Sequence, residues 1–116
     1  MAVTHGVTSA TAIGAQDAER IARLMSALAT ASRVRILALL RQAPHSVGEL
    51  ATAVQMAQPA VSHQLRILRD LDLVTGTQTG RTTVYTLHDP HVAALLDEAL
   101  RHIEHLSAAT PQAHGV

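Results

Sequence analysis

Cysteine, phenylalanine and tryptophan are absent from this chain of 116 residues, and it has a single tyrosine. Without thiols there can be no disulfide, no thiolate metal site and no thiol redox switch, so any metal must be held by nitrogen and oxygen. Without large aromatics the core must be aliphatic. A hydrophobic content of 47% is enough to form one, although a domain this small buries only a modest share of its surface. The formal net charge is +0, which is not the usual footprint of a nucleic-acid binder. No signal peptide and no membrane-length apolar run is visible. The expectation is one soluble, cytoplasmic domain with no membrane partner.

The charge that is present is unevenly placed. Every basic side chain is arginine, and Arg20, Arg23, Arg33, Arg35 and Arg41 fall in a stretch without an acid. Residues 82–116 hold Arg101 against Asp89, Asp97, Glu98 and Glu104. A neutral total can therefore hide a basic face.

Residues 1–15 are small, polar and aperiodic and read as a mobile tail, as do residues 107–116. Between them, residues 16–106 read as one folded unit. Ile21, Leu24, Met25 and Leu28 repeat with helical spacing over Gln16 to Leu28. Ser32 can cap a second helix reaching Leu40 or Arg41, apolar nearly all round and so buried. Ser46 with Glu49 has the spacing of a capping box for a third helix. After the short turn Gln55-Met56-Ala57, Gln58 precedes Pro59 at the first position of a fourth helix, which runs to Asp70 or Leu71. Leu73 to Thr77 and Thr82 to Leu87 read as β-branched strands joined by a turn over residues 78–81.

Two short helices across a tight turn, followed by a two-stranded ribbon, make a winged helix-turn-helix in a mainly α fold. Its second helix can enter a major groove of double-stranded DNA. The fourth helix turns Val61, Leu65 and Leu68 inward and presents Gln58, Ser62, His63 and Arg66 outward. Glutamine and arginine can make bidentate contacts to bases. Arg81 at the wing tip can meet a minor groove or a phosphate.

Asp89 to Leu106 is a further amphipathic helix, entered at Asp89-Pro90. At about 100° per residue, His91, Glu98, His102 and His105 fall in one stripe beside an apolar face of Val92, Leu96, Leu100, Ile103 and Leu106. His102 and His105 are i, i+3 neighbours able to share a metal ion. Asp89 and His91 form a second pair. Some 16 Å of helix separates His91 from His102, so the pairs cannot meet within one straight helix. A two-fold axis near Leu96–Asp97 brings Asp89 and His91 of one chain beside His102 and His105 of a second. The expectation is two equivalent sites across a homodimer interface.

These stretches together resemble the ArsR/SmtB family of metal-sensing repressors. The resemblance is carried by LATASRVRILALL at 28–40, AVSHQLRILRDLDLV at 60–74, GRTTVY at 80–85, and the Asp89, His91, His102, His105 pattern. It implies DNA contacts at Gln58, Ser62, His63 and Arg81, and an outer hydrogen bond from His102 to the backbone near Asp72. The family's cysteine site would fall near Val47–Leu50, where no thiol exists. Within the family, HVAALLDEALRHIEHL and the N-terminal His5-Gly6-Val7 are most similar to the mycobacterial nickel/cobalt sensor type. That type recruits tail ligands, for which His5, His114 and the Ala2 amine are candidates.

The reading is a metal-responsive repressor and not an enzyme. The apo homodimer binds operator DNA and is released when Ni(II) or Co(II) binds between the paired C-terminal helices. Dimerisation runs through the N- and C-terminal helices. The alternatives are a zinc sensor using the four helix ligands alone, and a metal-blind winged-helix regulator. A hydrolase with Glu98 as base lacks a substrate cleft in this layout.

Overall fold

A computed structural model of the protein describes residues 12–109. Its elements are α1 (Ala15–Ala27), α2 (Ala31–Gln42), β1 (His45–Ser46), α3 (Val47–Val54), α4 (Gln58–Asp70), β2 (Val74–Thr79), β3 (Thr82–Leu87) and α5 (Pro90–Ala109). The strands form one antiparallel sheet in the order β1-β3-β2. This is the expected winged helix-turn-helix, with one strand more than expected.

Local chemistry sets most of the boundaries. The capping box at α3 is complete: Glu49 N–H donates to Ser46 Oγ at 3.2 Å, and Ser46 N–H to Glu49 Oε1 at 2.8 Å. Asp89 caps α5, its Oδ1 accepting from the N–H groups of His91 (2.9 Å) and Val92 (3.3 Å). Two expectations shift by a residue or two. Thr30, not Ser32, is the residue before α2, and Ser32 Oγ instead accepts from Gln64 Nε2 at 3.3 Å. Gln58 lies inside α4 behind Ala57, which places Pro59 one position deeper in the first turn.

The ribbon is tighter than expected. Thr79 pairs with Thr82, leaving only Gly80 and Arg81 in the turn. Gly80 takes φ +62°, the positive value that a two-residue hairpin of this hand needs at its first position. Gly76 serves differently. It faces Tyr85, and a Cβ there would lie 2.9 Å from Tyr85 Cε1. The ring lies across the glycine, so any side chain at 76 would displace it.

The core lies between α2, α3, α4 and the sheet. Ile36, Leu37, Leu50, Val61, Leu65 and Leu68 are almost wholly buried. Each such side chain contributes about 1.5–3 kcal/mol by leaving water. The second helix is less enclosed than its composition suggested, since Val34 remains 37% exposed. On α1, Ile21 and Met25 are exposed; on α5, so are Leu100, Ile103 and Leu106. Helix α5 continues to Ala109, three residues past its expected end at Leu106.

The turn of the helix-turn-helix carries backbone strain. Gln55 has φ 58°, and Met56 N–H closes back on Ala51 O at 3.1 Å. A side chain in this left-handed conformation costs about 1–2 kcal/mol, which glycine avoids. Gln55→Gly should therefore raise stability by about 0.5–1 kcal/mol after its larger unfolded-state entropy is counted. A urea unfolding midpoint that falls would contradict this.

Candidate nucleic-acid interface and metal centre

Helix α4 is built to show one face. Val61, Leu65 and Leu68 anchor it, while Gln58, Ser62, His63 and Arg66 are exposed. The wing is folded back toward that face. Ser62 shares one groove with Arg81, Thr82, Thr83 and Tyr85 of the wing and with Ser46 to Gly48 at the start of α3. Four of the expected DNA-facing residues thus lie along one helix face, and Ser62 links that face to the fifth, Arg81. Gln58 leans over Gly48, where a Cβ would lie 3.3 Å from its Nε2. The wing tip is braced from within, Thr83 Oγ1 donating to Gln78 Oε1 and Gln78 Nε2 to Gly80 O.

Sequence reasoning missed what orients α4. Arg33 Nε donates to Gln64 Oε1 at 2.7 Å, and Arg33 Nη1 to Ala27 O at 3.2 Å. Gln64 returns its amide N–H to Ser32. Both ends of the Gln64 amide are engaged, so its rotation and with it the roll of α4 are fixed against α2. Nothing in the sequence pairs residues 31 positions apart.

The arginine-rich run of residues 20–41 is partly engaged within the fold. Arg33 is tied to α4, Arg35 donates to Ala53 O at 3.2 Å, and Arg41 chelates Asp97 on α5. Three of these five cations are engaged within the fold. Arg41 Nε and Nη2 reach the two Asp97 oxygens at 3.2 and 3.0 Å. These bonds hold the Asp97 carboxyl below its ordinary range and push the Arg41 guanidinium up.

The candidate metal ligands fall in two pairs. His91 Nδ1 stands 3.4 Å from Asp89 Oδ1, with the ring almost fully in solvent. His102 and His105 lie exposed one helical turn apart further along α5. Among the described residues of the single chain, no three candidate ligands come together. Along α5 they remain two separate pairs. Their donor set, one carboxylate and three imidazoles, fits a divalent first-row metal. Glu98, in the same stripe, is bound to Arg101. His5, His114 and Ala2 lie outside the described residues.

Comparison with known proteins agrees with this architecture. Residues 30–75 match the family described as bacterial regulatory protein, arsR family. The chain is 51% identical over 102 residues to the HTH-type transcriptional regulator NmtR of Mycobacterium tuberculosis, covering 88% of this chain and 85% of that one. It is 41% identical over 88 residues to a transcriptional repressor SmtB homolog of Synechocystis, covering 76% and 67% of the two chains. The solution structure of apo-NmtR superposes with a TM-score of 0.70 at 54% identity, covering 80% of this chain and 78% of that one. The homodimeric winged helix-turn-helix DNA-binding domain of Mb0332 from Mycobacterium bovis does so with a TM-score of 0.75 at 30% identity, covering 84% and 94%. These relatives are regulators, which removes the hydrolase reading of Glu98. Among the described residues no helix is long and apolar enough to cross a membrane. A winged helix-turn-helix with an exposed polar face on its second helix, at 51% identity to such a regulator over most of its length, makes this chain a transcriptional regulator of the ArsR family.

Proposed function

We propose that the protein is a homodimeric, metal-responsive repressor whose apo form holds operator DNA and whose nickel- or cobalt-bound form lets it go. One observation carries this reading: a carboxylate–imidazole pair stands at the seated start of α5 and an imidazole pair on its exposed half. Such half-sites are complete only when two copies of α5 run antiparallel. Asp89 and His91 of one protomer would then hold the ion together with His102 and His105 of its partner. The exposed apolar residues of α1 and α5 supply the surface on which two chains pair.

On DNA, Ser62, His63 and Gln58 address the major groove, Arg66 a phosphate, and Arg81 the backbone or minor groove beside it. Two copies of α4 then read a palindrome. The bound ion supplies a fixed link between the paired helices. The chain's own residues convert that link into a new orientation of the two lobes, with His102 using its second nitrogen on the backbone near Asp72. Linkage requires operator DNA to weaken metal affinity by the same factor.

A cobalt(II) titration of the metal-free protein, followed by visible absorption, tests the reading. Weak bands at saturation indicate five or six ligands, support a nickel/cobalt site and implicate His5 or His114. Strong bands at one ion per chain indicate a tetrahedral site of the four helix ligands and a zinc sensor. Absence of saturable binding leaves a metal-blind regulator.

A further inference from the structure

We propose that the Arg41–Asp97 ion pair is the strut through which movement of α5 reaches the helix-turn-helix, making these two residues positioning residues for the metal response. The inference rests on the reading of the protein as a metal-responsive repressor and adds a route to it within each chain.

The place of the pair in the fold is its first support. Asp97 stands at a border in α5. Before it, Val92 is buried, and Leu95, Leu96 and Asp97 itself are half-buried; from Glu98 to Ser107 every side chain is exposed. The helix is seated on its own lobe up to Asp97 and projects beyond it. His91 lies on the seated side and His102 and His105 on the projecting side. A pull on the ligand stripe therefore acts as a torque about this border. Asp97 lies about 120° round the helix from His91, so the strut holds the flank that the metal ligands do not occupy.

The other end of the strut supplies the second support. Arg41 is in the last turn of α2. Pro44 follows it, then β1, whose Ser46 caps α3. β1 pairs with β3, and β3 leads into α5. The ion pair thus closes a ring: α2 to β1, β1 to β3, β3 to α5, and α5 back to α2 through Asp97 and Arg41. Every other link in that ring is main chain or sheet pairing. The strut is the one link made by two side chains, and hence the one that can change length without unfolding anything.

The geometry suits transmission better than stability. Both side chains are half-exposed, and an ion pair in that setting adds little to folding. The two-point contact between guanidinium and carboxylate, however, fixes orientation as well as distance. A point contact would let α5 roll; this one resists it.

The test compares operator affinity of the metal-free and nickel-loaded protein, by fluorescence anisotropy, in the unaltered chain, in Asp97→Asn and in Arg41→Gln. Cobalt(II) absorption of each variant reports the ligand set. The expected result is an unchanged cobalt spectrum and a ratio of metal-free to nickel-loaded operator affinity lowered roughly two- to thirtyfold in both variants. The charge-exchanged double variant R41E/D97R should recover part of the ratio. An unaltered ratio in both single variants overturns the strut while leaving the repressor reading in place. A changed cobalt spectrum also overturns it, since Asp97 would then act at the metal site. A ratio of one in the unaltered chain overturns the repressor reading and the strut together.

Discussion

His102→Ala should keep full operator binding and lose its relief by nickel. His102 is exposed on α5, in the half of the helix that projects from the lobe, so its removal opens no cavity and leaves α4 and the wing untouched. A surface change of this kind moves stability by no more than about 0.5 kcal/mol. Its effect on the ion is of another size. Loss of an outer partner alone weakens a metal site about 10–100-fold, and His102 is proposed as both ligand and carrier of that outer hydrogen bond. The metal affinity should therefore fall by more than about 100-fold. His105→Ala is the informative companion, since it removes a ligand without the link to Asp72. Titration of nickel against an operator complex reads both. Release of DNA by His102→Ala at the nickel concentration that releases the unaltered protein would refute the site.

Leu65→Ala and Arg66→Ala should have opposite phenotypes although the residues are neighbours. Leu65 is 1% exposed in the centre of the core. Truncating such a leucine costs about 2–5 kcal/mol through lost burial and the cavity left behind. A domain of this size has only about 5–15 kcal/mol in total, so the variant should show a much lower urea midpoint and reduced DNA binding through unfolding. Arg66 lies about 100° further round the same helix and is exposed. Its loss should leave the midpoint unchanged, weaken operator binding across sequences and lower the salt dependence of binding by about one counterion. If Arg66→Ala bound the operator with the same affinity and salt slope as the unaltered chain, the phosphate contact assigned to Arg66 would be wrong.

What could be read directly from the sequence was chemistry that acts over a few residues. Ser46 and Glu49 are three apart, and the capping box they form is present. Asp89 before Pro90 marks the start of α5, and the spacing of Val61, Leu65 and Leu68 defines the buried side of α4. What escaped depended on distant partners. Ser32 has the chemistry of a cap, but Gln64 recruits its hydroxyl from 32 residues away and Thr30 takes the position before the helix. β1 is two residues long and exists because β3 offers it an edge. Three of the five arginines in the run of residues 20–41 likewise found distant partners, Gln64, Ala53 O and Asp97. The candidate metal ligands form an intermediate case. Their spacing separates them into two pairs, and the single chain shows those pairs without joining them.

The exposed half of α5 has a consequence for how the protein can be observed. From Glu98 to Ser107 the helix lies in solvent in the single chain, and an isolated helix of that length is marginal in water. Its backbone amides should exchange with deuterium quickly in a dilute, dissociated protein and slowly once a second chain covers them. Those of α3 and α4, held by the core, should not distinguish the two conditions. Exchange along this one segment is then a local gauge of assembly. It can be read as protein concentration and nickel are varied, without DNA and without a label.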